Sequence, residues 1–117
     1  MAYIPPVHID DLLFQASIQG LYAQLIQQIN KDFAMGNEPV DLPASTTPRE
    51  AVMQVEEKIL RLLTFHFEGL LNLLYIIDIP EKTVQSLDGS DREKLASELT
   101  FLILRRQWQK VWYRANF

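Results

Sequence analysis

Cysteine is absent from this chain, and histidine and glycine are scarce. Without cysteine there can be no disulfide, no thiolate nucleophile and no metal site built on thiolates. With only two His and four Gly in 117 residues, the usual nucleotide-binding loops are missing, and no serine stands in a recognisable motif with a histidine. We therefore expect a protein that is not an enzyme and that uses neither a cofactor nor a metal ion.

The chain also lacks an apolar run long enough to cross a membrane. The strongest run, residues 70–77, is far shorter than the roughly 20 residues that a spanning helix needs. Charged or polar residues interrupt any longer window at Arg61, His66, Glu68 and Asp78. The first residues show no basic segment followed by an apolar one, as a secretion signal would. We expect a soluble, cytoplasmic protein with no membrane insertion.

One long central helix is predicted from Thr47 to Asp78. Thr47 suits the N-cap, Pro48 the first helical position, and Glu50 stands where it completes a capping box. Residues three and four apart form a main apolar stripe: Val52, Val55, Ile59, Leu62, His66, Leu70, Leu73 and Ile77. A second stripe lies beside it: Leu60, Leu63, Phe67, Leu71 and Leu74. A helix apolar over so much of its circumference has to be surrounded by other parts of the chain or by a partner.

Three further helices follow from the same period of 3.6 residues. The first begins at a cap formed by Asp10 or Asp11 and ends near Met35, before Gly36. Its apolar stripe is Phe14, Ile18, Leu21, Leu25, Ile29 and Phe33. A short helix is predicted over 81–87, and the last one runs over 91–115 with Ser90 as its cap.

These segments predict an all-α fold, an antiparallel bundle of three long helices and one short helix in a single domain, residues 1–117. Residues 1–9 form an extended lead-in, because Pro5 and Pro6 exclude a helix there, and residues 37–46 form a loop. Gly20 and Gly69 each lie inside a predicted helix, which indicates that two helices cross closely at those points.

The last helix carries two apolar stripes on different sides. The first is Leu95, Leu99, Leu102 and Ile103, and the second is Phe101, Leu104, Trp108, Val111 and Trp112. In one interpretation the second stripe covers the end of the bundle beside the first helix. In the other it is exposed and binds a partner, since tryptophan and arginine concentrate at interfaces. The sequence leaves both interpretations open.

Positive charge is concentrated at the C-terminal end of an otherwise acidic chain. All 15 Asp and Glu precede residue 101, whereas Arg105, Arg106, Lys110 and Arg114 follow it. Arg106, Lys110 and Arg114 are spaced four residues apart and so share one helix face. This row indicates contact with an acidic surface of a partner.

From these patterns we predict a non-enzymatic protein–protein interaction or adaptor module that self-associates, as a homodimer, through its last helix. Trp108 and Trp112 are the predicted anchors, and the basic row selects an acidic partner surface. The first alternative is nucleic-acid binding by the same helix, which the acidic composition disfavours. The second is small-molecule binding between helices, at a site lined by His66, Tyr22 and Tyr75.

His66 is predicted to be a buried core histidine, because it lies on the most apolar stripe of the central helix. A helical di-metal site requires Glu three residues before His. That position holds Leu63, which argues against a metal ligand.

Overall fold

The computed structural model describes residues 2–117, which form six α-helices and no β-strand. The helices are α1 (Ile9–Ile18), α2 (Tyr22–Met35), α3 (Pro48–Phe65), α4 (Phe67–Ile77), α5 (Glu81–Gln85) and α6 (Arg92–Asn116). The all-α prediction is confirmed. The predicted division into three long helices and a short one is not, because two of the long helices are each broken in two.

The first predicted helix is broken at Gly20, which has a φ of +70°. The amide of Gly20 donates to the carbonyl of Ser17, and the amide of Leu21 donates to that of Ala16. These two bonds form a Schellman motif, the helix ending that favours a glycine in the left-handed conformation. A Cβ on Gly20 would meet no atom within 4 Å, so this glycine ends α1 and does not mark a helix crossing.

The second break lies at His66, between α3 and α4, where φ is −150° and ψ is 64°. His66 Nδ1 lies 3.0 Å from Oε2 of Glu38. The other carboxylate oxygen of Glu38, Oε1, lies 3.3 Å from Nζ of Lys58. A Cβ on Gly69 would stand 2.5 Å from Nδ1 of His66, so Gly69 leaves room for this ring. The predicted burial of His66 is wrong, because a residue at a helix junction leaves the apolar stripe and its side chain is 61% exposed.

Two of the helix starts differ from the predicted caps. Thr47 caps α3 as expected, since its hydroxyl accepts a bond from the Glu50 amide at 3.3 Å. In α6 the cap is Asp91 and not Ser90, and its carboxylate accepts from the amides of Glu93 and Lys94. Asp10 and Asp11 do not cap α1 but lie in its first turn, where their negative charges interact favourably with the helix dipole.

The core is built around α6, which packs against α1, α2, α3 and α4. Most of the main apolar stripe of the central segment is buried, despite the break: Val55, Ile59, Leu62, Leu70, Leu73 and Ile77. The Cα radius of gyration is 13.5 Å, close to the roughly 13 Å expected for a compact domain of this length.

Candidate functional site

The second apolar stripe of α6 lies inside the protein. Trp108 is 0% exposed, and the side chains of Leu104, Val111 and Trp112 are buried as well, while Phe101 is half-buried. The indole Nε1 of Trp108 donates to Oε1 of Gln15 on α1 at 3.2 Å. The expected exposed tryptophan surface is therefore absent.

The reason is that other segments cover the second half of α6. The ring of Tyr3, in the N-terminal lead-in, has its centroid 5.3 Å from that of Trp112 in an edge-on arrangement. Burial raises the pKa of the Tyr3 hydroxyl, while the Arg105 guanidinium opposes that rise. The lead-in, α1 and α2 thus cover the tryptophan side of α6, and sequence periodicity could not show which segments do so.

The predicted basic row remains at the surface, and each of its members contacts another side chain. Arg106 forms an ion pair of 3.2 Å with the exposed carboxylate of Asp78. Lys110 lies 3.6 Å from a carboxylate oxygen of Asp32, and Arg114 donates to the side-chain oxygen of Gln28. Arg105 stands outside this row, with its guanidinium 5.4 Å from the centre of the Phe101 ring.

Asp32 on α2 is a buried carboxylate with three partners, and sequence reasoning did not single it out. Besides its ion pair with Lys110, Asp32 accepts hydrogen bonds from the side-chain amide of Gln28 at 2.9 Å and from the side-chain amide of Gln107 at 3.2 Å. A buried charge is stable only when it is paired and hydrogen-bonded. Its signal in the sequence was an acidic residue between Ile29 and Phe33, close to the apolar face of its helix. The network fixes α6 against α2.

A surface groove of about 550 Å³ lies over this network, between α2 and α6. It brings the three members of the basic row together with a fourth cation, Lys31 of α2. A smaller groove of about 310 Å³ adjoins it and shares three of its lining residues, Gln28, Lys31 and Arg114. Together these grooves form a basic depression that only the packing of α2 on α6 creates.

A second notable surface is the outer side of α4, which is apolar and uncovered. Phe67 is 54% exposed, Leu71 46% and Tyr75 83%, and these residues are spaced four apart along one face. Phe65, the last residue of α3, is 83% exposed at the same end. The sequence predicted that Phe67 and Leu71 need cover, and within residues 2–117 nothing covers them fully.

The residues of the predicted small-molecule site serve other contacts. Tyr22 donates its hydroxyl to the carbonyl of Thr46 at 2.6 Å, His66 pairs with Glu38, and Tyr75 lies at the surface of α4. Burial, followed by the nearby Glu50 carboxylate, raises the pKa of Tyr22. Tyr22 and His66 therefore have contacts of their own, Tyr75 is exposed, and none of the three lines the grooves described above.

The described range 2–117 contains no group of three or more His, Asp or Glu side chains that could hold a metal ion. In the same range, every helix is too short or too polar to reach across a lipid bilayer.

Comparisons of the chain with protein-family models, with curated proteins and with solved structures gave no match.

Proposed function

We propose that this protein is a non-enzymatic protein–protein interaction module that forms a homodimer through the outer face of α4. The observation that supports this proposal is the exposed apolar stripe of Phe67, Leu71 and Tyr75. Exposed apolar patches of this kind are typical of interaction surfaces. The contact differs from the one that the sequence predicted, because Trp108 and Trp112 lie in the core of the chain.

The spacing of the stripe favours a second copy of the same chain as the partner. Phe67 and Tyr75 each lie four residues from Leu71, so the stripe is symmetric about its centre. If two α4 helices cross antiparallel at Leu71, Phe67 of each copy faces Tyr75 of the other, and aromatic pairs form on both sides. Residues four apart also form the ridges that interlock in the commonest helix packing.

The charges flanking the stripe are compatible with such a dimer. Glu68 is the one charged residue between Phe67 and Tyr75. In the antiparallel arrangement the two Glu68 positions are offset by six residues, or roughly 9 Å at 1.5 Å per residue. They therefore do not oppose one another directly, and the contact contains no repulsive pair at its centre.

The available area indicates a dimer of moderate strength. An aromatic side chain buries roughly 150–250 Å² when fully covered, but Phe65, Phe67, Leu71 and Tyr75 are already partly covered. Their exposed fractions together offer roughly 500 Å² per copy. A standard interface buries about 800 Å² per partner. Polar residues around the stripe must supply the remainder, and we expect dimerisation to depend on protein concentration.

Light scattering on a sizing column, at several protein concentrations and at low and high salt, tests this proposal. We expect the mass to rise with concentration toward twice the 13.6 kDa of one chain, in both salt conditions, because the contact is apolar. The double variant L71E/Y75E is expected to stay at 13.6 kDa, since it places charges in the contact.

The matched control is Phe14→Glu, which changes an equally exposed aromatic residue on α1 and should still dimerise. Circular dichroism verifies that both variants are folded. Three outcomes contradict the proposal: a wild-type monomer at every concentration, a dimer that dissociates in high salt, or an equal loss of dimer in the control.

The burial of the tryptophans and the contacts of Tyr22 and His66 argue against the two alternative functions. Nucleic-acid binding relied on Trp108 and Trp112 as stacking residues, and both lie in the core. The small-molecule site of His66, Tyr22 and Tyr75 relied on a shared lining that these residues do not form.

A further inference from the structure

Two cations on the depression between α2 and α6 have no acidic partner. Within residues 2–117, no carboxylate lies within ion-pairing distance of Lys31 or Arg114. Both side chains line the larger groove and the smaller one, so they stand where the two grooves meet. Gln28, which also lines both grooves, is uncharged, and its side-chain oxygen accepts a hydrogen bond from Arg114.

The larger groove as a whole carries an excess of positive charge. Its four cations are Lys31, Arg106, Lys110 and Arg114. Two carboxylates oppose them, since Lys110 pairs with the buried Asp32 and Arg106 with Asp78. The remaining excess of two charges lies at Lys31 and Arg114. A phosphate monoester carries a charge of about −1.5 to −2 at neutral pH, which matches that excess.

Apolar side chains line the same two grooves as the unpaired cations. Met35 and Ile76 line the larger groove, and Leu21 and Val111 line the smaller one. The two grooves are open to solvent, and their volumes of about 550 and 310 Å³ lie in the range of small-ligand sites, which typically measure roughly 300–1,000 Å³. Apolar walls with a few converging charged groups are also typical of such sites.

We propose that this depression binds a small organic phosphate. Its phosphate group lies between Lys31 and Arg114, where guanidinium and ammonium donors form charge-assisted hydrogen bonds to it. Its organic part lies on an apolar wall, over Met35 and Ile76 or over Leu21 and Val111. The charge of Lys110 is already paired with Asp32, so the two unpaired cations are the ones that bind the phosphate.

The probes that test the proposal are phenyl phosphate, inorganic phosphate and benzoate, each titrated into ¹⁵N-labelled protein at constant ionic strength. We expect phenyl phosphate to shift amide signals of α2, α6 and the end of α4 around Ile76 saturably. Inorganic phosphate lacks the apolar contact, and benzoate carries less charge, so both should bind more weakly. Equal affinity for phenyl and inorganic phosphate would overturn the organic part of the proposal, and tighter binding of benzoate would overturn the phosphate part.

The variant K31Q/R114Q removes the two unpaired cations and should weaken phenyl phosphate binding by about tenfold or more, a loss of about 1.4 kcal/mol. Both positions are exposed, so the fold should persist, which the melting temperature verifies. The matched control R49Q/R92Q removes two exposed cations outside the groove and should leave the affinity unchanged.

Several results would contradict the site. They are shifts that do not saturate, signals that move away from α2, α6 and the end of α4 around Ile76, and an equal loss of affinity in the control variant. Binding of a poly-glutamate peptide without binding of phenyl phosphate would assign the depression to an acidic protein segment and overturn the small-ligand proposal. Because the dimer is tested by the mass in solution and by variants at Leu71 and Tyr75, and this site by ligand titration and by variants at Lys31 and Arg114, either proposal can fail without the other.

Discussion

At the scale of single residues, Tyr22 shows how one side chain joins distant parts of the chain. Its hydroxyl, at the start of α2, donates to the carbonyl of Thr46 at the end of the connection to α3. Burial and the Glu50 carboxylate raise the pKa of this hydroxyl, because both disfavour its ionised form. The folded state therefore holds this proton more tightly than the unfolded state does.

This linkage gives a pH dependence. A group whose pKa is raised on folding contributes stability that is complete below the unfolded pKa and is lost as pH rises through the folded pKa. The relevant range is therefore above pH 10, the ordinary pKa of tyrosine. We expect Tyr22→Phe to lower the free energy of unfolding by about 1 kcal/mol at neutral pH, through the lost hydrogen bond, and to reduce the further loss at alkaline pH.

Urea denaturation at neutral pH and near pH 11, above the ordinary tyrosine range, measures both effects. Part of the alkaline loss should remain in the variant, because the pKa of Tyr3 is raised by burial too. Tyr75→Phe, at an exposed position, is the control and should resemble the wild type. An alkaline loss that is identical in Tyr22→Phe and wild type would contradict this role of Tyr22.

At the scale of helices, the break between α1 and α2 decides which apolar residues are buried. The predicted stripe of the first helix is continuous only if the helix is. After the turn at Gly20, Leu25, Ile29 and Phe33 are buried, whereas Phe14 and Ile18 face outward. Leu12 and Ala16 are buried in their place, on the side of α1 that meets α6.

Substitution of Gly20 tests whether this break requires a left-handed residue. Because a Cβ would meet no atom within 4 Å, the cost of Gly20→Ala should come from the backbone alone, about 1–2 kcal/mol. Gly20→Asn should cost less, since asparagine adopts the left-handed conformation more readily. Urea denaturation of the two variants measures the difference. A Gly20→Ala variant as stable as wild type would show that the chain does not need this turn.

The junction between α3 and α4 likewise decides which apolar residues of α4 are buried and which remain on its outer face. The pair of His66 with Glu38 connects this junction to the segment that follows α2. Beyond it, Leu70, Leu73 and Leu74 turn inward, and Phe67 and Leu71 remain outside. Periodicity alone grouped Leu74 with Phe67 and Leu71, because they are neighbours on one helical surface.

At the scale of the whole molecule, stability depends on the packing of α6 against α1, α2, α3 and α4. Trp108 reaches α1 through its bond to Gln15, and Gln107 reaches α2 through its bond to Asp32. A helix that packs on several neighbours at once makes their docking cooperative, so that loss of one large side chain affects all of them.

Truncation of Trp108 tests this arrangement. We expect Trp108→Ala to lower the free energy of unfolding by about 3–5 kcal/mol, because it leaves a large cavity in the core. Trp108→Phe should cost less, since it keeps most of the volume. Phe14→Ala, at an exposed position, should change stability by no more than about 0.5 kcal/mol. Chemical denaturation followed by circular dichroism gives all three values, and a small effect of Trp108→Ala would contradict the burial of this side chain.

The sequence by itself determined the helical content and several helix ends. Thr47 caps α3 through its hydroxyl and Pro48 fits its first position, the pair Gly36 and Asn37 ends α2, and Pro80 prevents the central segment from continuing. Each acts on backbone groups close to it in the chain, so its effect is visible in the local sequence. It also determined most of the buried stripe from Val55 to Ile77, since only an apolar face of that width can build the core.

The tertiary structure alone decided which apolar faces are covered. Periodicity identifies the two stripes of α6, yet residues of both are buried only because α6 packs against α1, α2, α3 and α4 and the lead-in covers Trp112. The same packing brings Lys31 of α2 next to Arg114 of α6, more than 80 residues away in the chain. Exposure and proximity depend on the positions of whole helices, and local spacing carries no information about those positions.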